Sequence, residues 1–190
     1  MKNLNTKIYL YIILIFSFCC KAQEIQPLNA DSDKFPNNTY YKDLDGELNP
    51  YIGKYKSVYN GQETTLYITK EDRKFRKLLK KSFFEDVLVL RFIVKSSAGK
   101  VLQDTRSLDV ENNNIHSIGT KPKLGQVILY YEGTNCGVGW GKIILKKINA
   151  KQISWTYGAD CTILTEHDCP GNPDLTVYLP QTENLIFTKQ

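Results

Sequence analysis

Asp160, Cys161, Glu166, His167, Asp168 and Cys169 bring carboxylate, imidazole and thiol groups into one short stretch. These are the side-chain types that hold zinc and similar ions. Their spacing argues otherwise, since neither Cys-x-x-Cys nor His-x-x-x-His occurs. A disulfide-stapled polar loop is the simpler expectation, with Cys161 joined to Cys169 across CTILTEHDC. Cys136 leaves two other pairings open, and Cys136–Cys161 is within reach if the chain turns back near Ala150. Pro170-Gly171-Asn172-Pro173 follows directly, and such residues fix turns on a surface.

Catalytic arrangements are weaker still. His116 and His167 are the two histidines. Neither stands in a Gly-x-Ser-x-Gly elbow or a His-Glu-x-x-His frame. Glu85 and Asp86 adjoin, so in a strand they point to opposite faces and cannot share a substrate. Gly137-Val138-Gly139-Trp140-Gly141 imitates a phosphate loop, but Ile143 to Ile148 reads as strand and offers no helix N-terminus. Glycines at a tight barrel corner are the better account. The chain is therefore read as a non-enzymatic protein with no metal and no cofactor.

The elements that hold these residues are strands. The 190 residues suffice for one full core. A composition 42% apolar and 24% charged excludes general disorder. Twelve Tyr and eight Phe against one Met favour pleated, half-buried surfaces. The formal charge of +5 falls further if Lys2 and Lys7 are removed, and carries no nucleic-acid footprint.

Residues 1–19 read as an export signal. Lys2 and Lys7 precede an unbroken apolar run from Ile8 to Phe18, shorter than the ~20 residues a spanning helix requires. Cys20, with small Cys19 before it, is the expected lipidation site, placing the protein in the cell envelope on a periplasmic or outer-membrane face. Cleavage after Ala22 and secretion is the alternative. Residues 20–38, polar and holding Pro27 and Pro36, read as a flexible tether to a domain over 39–190.

Within that domain strand signals recur. Tyr51 to Tyr59 and Thr64 to Thr69 alternate, and Phe84 to Lys95 runs to a turn at Ser97-Ala98-Gly99. Gln126 to Tyr131, Lys142 to Ile148, Ile153 to Tyr157, Leu175 to Leu179 and Leu185 to Thr188 follow. So many short strands with polar turns point to an all-β antiparallel barrel, with a β-sandwich as alternative. Residues 71–82 break the rhythm. Phe75, Leu78 and Leu79 at helical spacing among Lys and Arg read as a short basic helix or loop. If its bases rest on anionic lipid, each contributes ~1 kcal/mol.

The stretch Asn38-Thr39-Tyr40-Tyr41-Lys42-Asp43, leading to Leu48-Asn49-Pro50-Tyr51-Ile52-Gly53-Lys54-Tyr55, resembles the opening of a family of small bacterial lipoproteins of unknown function. Leu179-Pro180 and Leu185-Ile186-Phe187-Thr188-Lys189 are similar to its closing strand. The Cys20-Lys21-Ala22-Gln23 junction also recurs there. Tyr55 stands where that family carries Trp, and the Cys-bearing insert departs from its pattern. The resemblance implies a lipocalin-like barrel, which is a statement about fold and not function.

Two functions follow as expectations. One is a barrel that takes a small apolar or amphipathic ligand on the alternating aromatics Tyr55, Tyr67, Phe92, Tyr130 and Trp155, although such rings also simply fill small barrels. The other is a surface-exposed structural or protein-interaction module without a ligand, meeting a protein partner through loops 71–83 and 159–174.

Overall fold

The computed structural model describes residues 22–78, 81–108, 115–161, 163–167 and 169–190. The expected signal and Cys20 lie outside them. The strands among the described residues are β1 (Ile25–Pro27), β2 (Tyr40–Lys42), β3 (Gly53–Tyr59), β4 (Gln62–Leu78), β5 (Lys81–Lys95) and β6 (Val101–Asp104). They continue with β7 (Ile115–Lys121), β8 (Gln126–Tyr131), β9 (Gly141–Lys147), β10 (Gln152–Tyr157) and β11 (Thr182–Lys189).

Neighbours run β5-β4-β3-β11-β10-β9-β8-β7, and β7 returns to β5 with His116 opposite Val89. Eight antiparallel strands thus close a barrel, as the strand rhythm implies. That last pairing excludes the sandwich, because it leaves no open edge between two sheets. Asn60 and Gly61, both at positive φ (48° and 74°), form the two-residue turn between β3 and β4. That backbone twist matches the flanking strands.

Alternation fills the lumen. Val127, Leu129 and Tyr131 of β8 and Ile153, Trp155 and Tyr157 of β10 point inward and are buried. Trp155 lies 5.7 Å from Phe187 and 6.1 Å from Tyr157, ring centre to ring centre. Tyr55, Leu66, Phe92 and Leu145 complete the same core. Each such buried side chain contributes roughly 1.5–3 kcal/mol.

Both barrel ends are plugged. At one end Leu48 and Tyr51 are buried, and the Tyr51 hydroxyl donates to the Gly125 carbonyl at 2.6 Å. At the other, residues 175–179, expected as a strand, form none; Leu179 enters the core instead. Trp155 Nε1 fixes this plug by donating to the Pro180 carbonyl at 2.8 Å.

β4 and β5 outrun the barrel. Past a register shift between Glu71 and Lys74, pairing continues from Lys74–Glu85 to Leu78–Lys81 as a two-stranded arm. The expected basic helix or loop over 71–82 is therefore corrected to strand over residues 71–78 and 81–82. An isolated helix of that length is marginal in water. The facing run Phe83, Phe84, Val87 and Val89 supplies a β-forming partner that satisfies the same backbone groups. Arg73 takes φ 58° at the shift, and its backbone N–H donates to Asp86 at 2.9 Å.

Residues 22–38, expected as a free tether, are seated on the fold. β1 pairs in parallel with β2, and β2 with β5 through Tyr40–Phe84 and Tyr41–Glu85. The segment satisfies the edge that β5 leaves open below its contact with β7. Asp86, 2% exposed, locks it by accepting from the Tyr40 hydroxyl at 2.5 Å and the Asp43 N–H at 3.0 Å. Lys70 Nζ stands 3.6 Å from Asp86 and 3.4 Å from Asp43.

Candidate functional site

The candidate site that gathers the most titratable side chains lies on the outside of the barrel. Strand alternation turns His116 and Ile118 of β7, Tyr130 of β8 and Phe83 and Glu85 of β5 away from the lumen. One face of the arm brings Arg76 and Leu78 over them, and the N-terminal segment adds Leu28, Ala30, Ser32 and Tyr41. Together with Glu132 they enclose a groove of about 600 Å³. That is the size of a small-molecule site, and its wall mixes the apolar Leu28, Leu78, Phe83 and Ile118 with the polar Arg76, Glu85, His116 and Glu132.

His116 is the unusual member. It is 7% exposed, and its Nε2 has no hydrogen-bond partner among the described residues. A buried polar atom left unpaired costs free energy, so it needs an explanation. Burial, helped by nearby Arg76 and Lys74, lowers its pKa to about 4, so the ring is neutral near pH 7. Glu85 is shifted the other way. Burial pushes its carboxyl up to about 7; Arg76 opposes this and Asp86 adds to it. The groove thus offers Arg76 as a cation, a neutral imidazole and a carboxyl close to its titration point. Such a set can hydrogen-bond a polar head while Phe83, Leu78 and Ile118 hold an apolar body.

Other depressions suit a ligand less well. A cavity of about 310 Å³ opens between β5, β6 and residues 131–135, lined by Leu90, Phe92, Gln103 and Tyr131. A broader hollow of about 790 Å³ lies between residues 22–24, 36–39 and Arg73.

The five expected ligand-binding aromatics separate. Tyr55 and Trp155 are core residues with no exposed surface. Phe92 points inward and edges the smaller cavity. Tyr67 lies on the outer wall beneath Lys54 and Arg106, 5.9 Å and 5.8 Å from its ring centre. Tyr130 alone lines the groove, where its ring also meets Trp140 at 6.4 Å. Sequence reasoning considers Glu85, His116 and Leu78 in other roles, and nothing in it brings them to one groove with Tyr130. His116 was visible only as one of two histidines, and nothing local in the chain marks it as orphaned.

The cysteine pairing is corrected. Cys136, not Cys161, is bonded to Cys169, with Cα atoms 5.6 Å apart, and Cys161 is free and exposed. Two loops packed face to face bring Cys136 and Cys169 together. Asn135 Nδ2 donates to the Asp174 carbonyl at 2.7 Å, and Trp140 Nε1 to the Cys161 carbonyl at 3.2 Å. The glycines between them permit this approach. A Cβ on Gly133 would meet the Gly137 carbonyl oxygen at 2.4 Å, and one on Gly139 would meet Val177 at 2.5 Å. Glu166 and His167 stay exposed on the loop, and Asp168 lies outside the described residues.

A closed barrel with a filled lumen and a polar-footed groove on its wall defines a small all-β domain. The chain matches, over residues 1–190, the family described as a family of unknown function (DUF6705), and it belongs to that family. No curated protein and no solved structure matches it.

Proposed function

We propose that this protein is an exported cell-envelope lipoprotein, anchored through Cys20, whose barrel binds a small amphipathic ligand in the outer-wall groove. The observation that carries the ligand reading is His116 Nε2, buried at the foot of the groove without a hydrogen-bond partner among the described residues. The packing of Trp155, Tyr55 and Phe187 in the lumen supports the same choice of site, because the cavity that remains beside Phe92 and Tyr131, about 310 Å³, is smaller than the groove. The anchor reading rests on the leader and the Cys19-Cys20 junction, and the Cys136–Cys169 disulfide fits an oxidising compartment. The protein acts in this reading as a carrier or receptor rather than an enzyme. The bound molecule would place an acceptor or donor on His116, an acidic group toward Arg76, and an apolar body along Phe83 and Ile118.

Native mass spectrometry of protein isolated from its own cells tests the ligand. A non-covalent adduct lost in Ile118→Lys is expected; protein without any adduct contradicts the proposal. Intact mass after detergent extraction tests the anchor, with a diacylglyceryl increment on a chain starting at Cys20 expected. A chain starting at Gln23 would point to secretion. A module that meets a protein partner is the second reading, favoured by the arm's exposed Phe75 and Leu78.

A further inference from the structure

We infer that the β4–β5 arm docks on an anionic membrane surface, taking its orientation from the anchor proposed at Cys20, on which this inference rests.

The position of the N-terminal chain is the first support. Arg73, at the root of the arm, donates through Nη2 to the Gln23 side-chain oxygen at 2.8 Å. Cys20 precedes Ala22 by two residues, so a lipid there attaches within about 7 Å of Ala22 even with the chain extended. A bilayer holding that lipid therefore lies against the arm's side of the barrel. The anchor does not hang on a long tether, because residues 25–27 are already paired into the sheet.

Charge and surface chemistry are the second. Arg73, Arg76, Lys77 and Lys81 have no ion pair within 4 Å among the described residues, whereas Asp72 is taken by Lys70 and Glu71 by Lys74. Between these bases Phe75 and Leu78 stand 54% and 55% exposed. Adjacent positions on a strand face opposite sides and paired positions share one, so Phe75 and Lys77 share the outer face with Phe84 and the Arg73 stacked on it, while Arg76, Leu78 and Lys81 at the tip lie on the groove side. Bases flanking large apolar side chains match an interface of anionic headgroups over acyl chains. Since eight strands close without residues 74–84, the arm's length is surplus to the barrel.

The test uses the chain from Lys21 onward, which contains all of the described fold and no lipid. It is sedimented with vesicles of phosphatidylglycerol mixed with phosphatidylcholine, and with phosphatidylcholine alone. Binding to the anionic vesicles only, weakened by salt, is expected. Lys77→Glu with Lys81→Glu should reduce it at least tenfold, and Lys100→Glu at the far end should leave it unchanged. Phe75→Ser should weaken binding with the salt dependence kept. Equal binding to both vesicles, no binding, or equal loss in the Lys100 control overturns the inference. So does a dimer in place of vesicle binding, abolished by the same two reversals, since a second copy would then cover the arm. A missing lipid increment at Cys20 removes the anchor reading separately, without altering what the vesicles report.

Discussion

Glu85 and His116 face one groove from neighbouring strands and are driven in opposite directions by their burial, the carboxyl up to about 7 and the imidazole down to about 4. In the unfolded chain they titrate near 4.5 and 6.5. The stability linked to His116 is present above pH 6.5 and is lost as pH falls through 4. That linked to Glu85 is present below pH 4.5 and is lost as pH rises through 7. Between pH 4.5 and 6.5 the two slopes oppose each other. Glu85→Gln should therefore unmask a loss on acidification across that window, on the order of 2 kcal/mol. His116→Asn should unmask the reverse slope. Thermal melts across the pH range check this, and unchanged slopes in both variants would contradict it.

Asp86 ties the N-terminal segment to the barrel. Burial raises its pKa, but the bonds from Tyr40 and the Asp43 and Arg73 N–H groups, with Lys70 nearby, bring it below the usual carboxylate range. Its contribution is present above pH 3.8 and is lost as pH falls below that. Asp86→Ala leaves these donors unmatched, with Lys70 still held by Asp43 and Asp72, and should cost about 3 kcal/mol in urea unfolding. Release of residues 22–42 to rapid hydrogen exchange should accompany it.

The disulfide links loops 33 residues apart in sequence. Closing a loop of that size in the unfolded chain corresponds to about 3–4 kcal/mol. Replacing both Cys136 and Cys169 by Ser should lower stability by that order. Peptide mapping without reduction should recover the Cys136–Cys169 pair and find Cys161 open to alkylation.

Trp155 is core rather than a ligand contact. Trp155→Ala should cost about 3–5 kcal/mol in denaturant unfolding. A variant that keeps its stability would mean that the lumen is not packed around this ring.

What could be read from the chain follows from how locally each feature is encoded. Ile153, Trp155 and Tyr157, like Val127, Leu129 and Tyr131, alternate strictly, so their strands and inward faces are legible without a structure. Phe75, Leu78 and Leu79 misled because three apolar residues satisfy a helical spacing by chance. The deciding partner, Phe83 and Phe84, lies on the facing strand. Cys136 and Cys169 meet only because glycine loops from two connections pack together, and no spacing records that. Leu175 to Leu179 is apolar enough for a strand but is used as a plug. The groove is assembled from β5, β7, β8, the arm and residues 28–41. Its orphaned histidine is a property of that assembly and not of the Asn113-Asn114-Ile115-His116-Ser117 stretch.

Binding on the wall and not in the lumen is tested most directly by comparing native mass spectra of three proteins isolated from the cell envelope. The unaltered protein should carry a small-molecule adduct, Ile118→Lys should lose it, and Phe92→Leu, which alters the lumen, should keep it. An adduct that survives Ile118→Lys but disappears with Phe92→Leu would place the ligand inside the barrel and contradict the account.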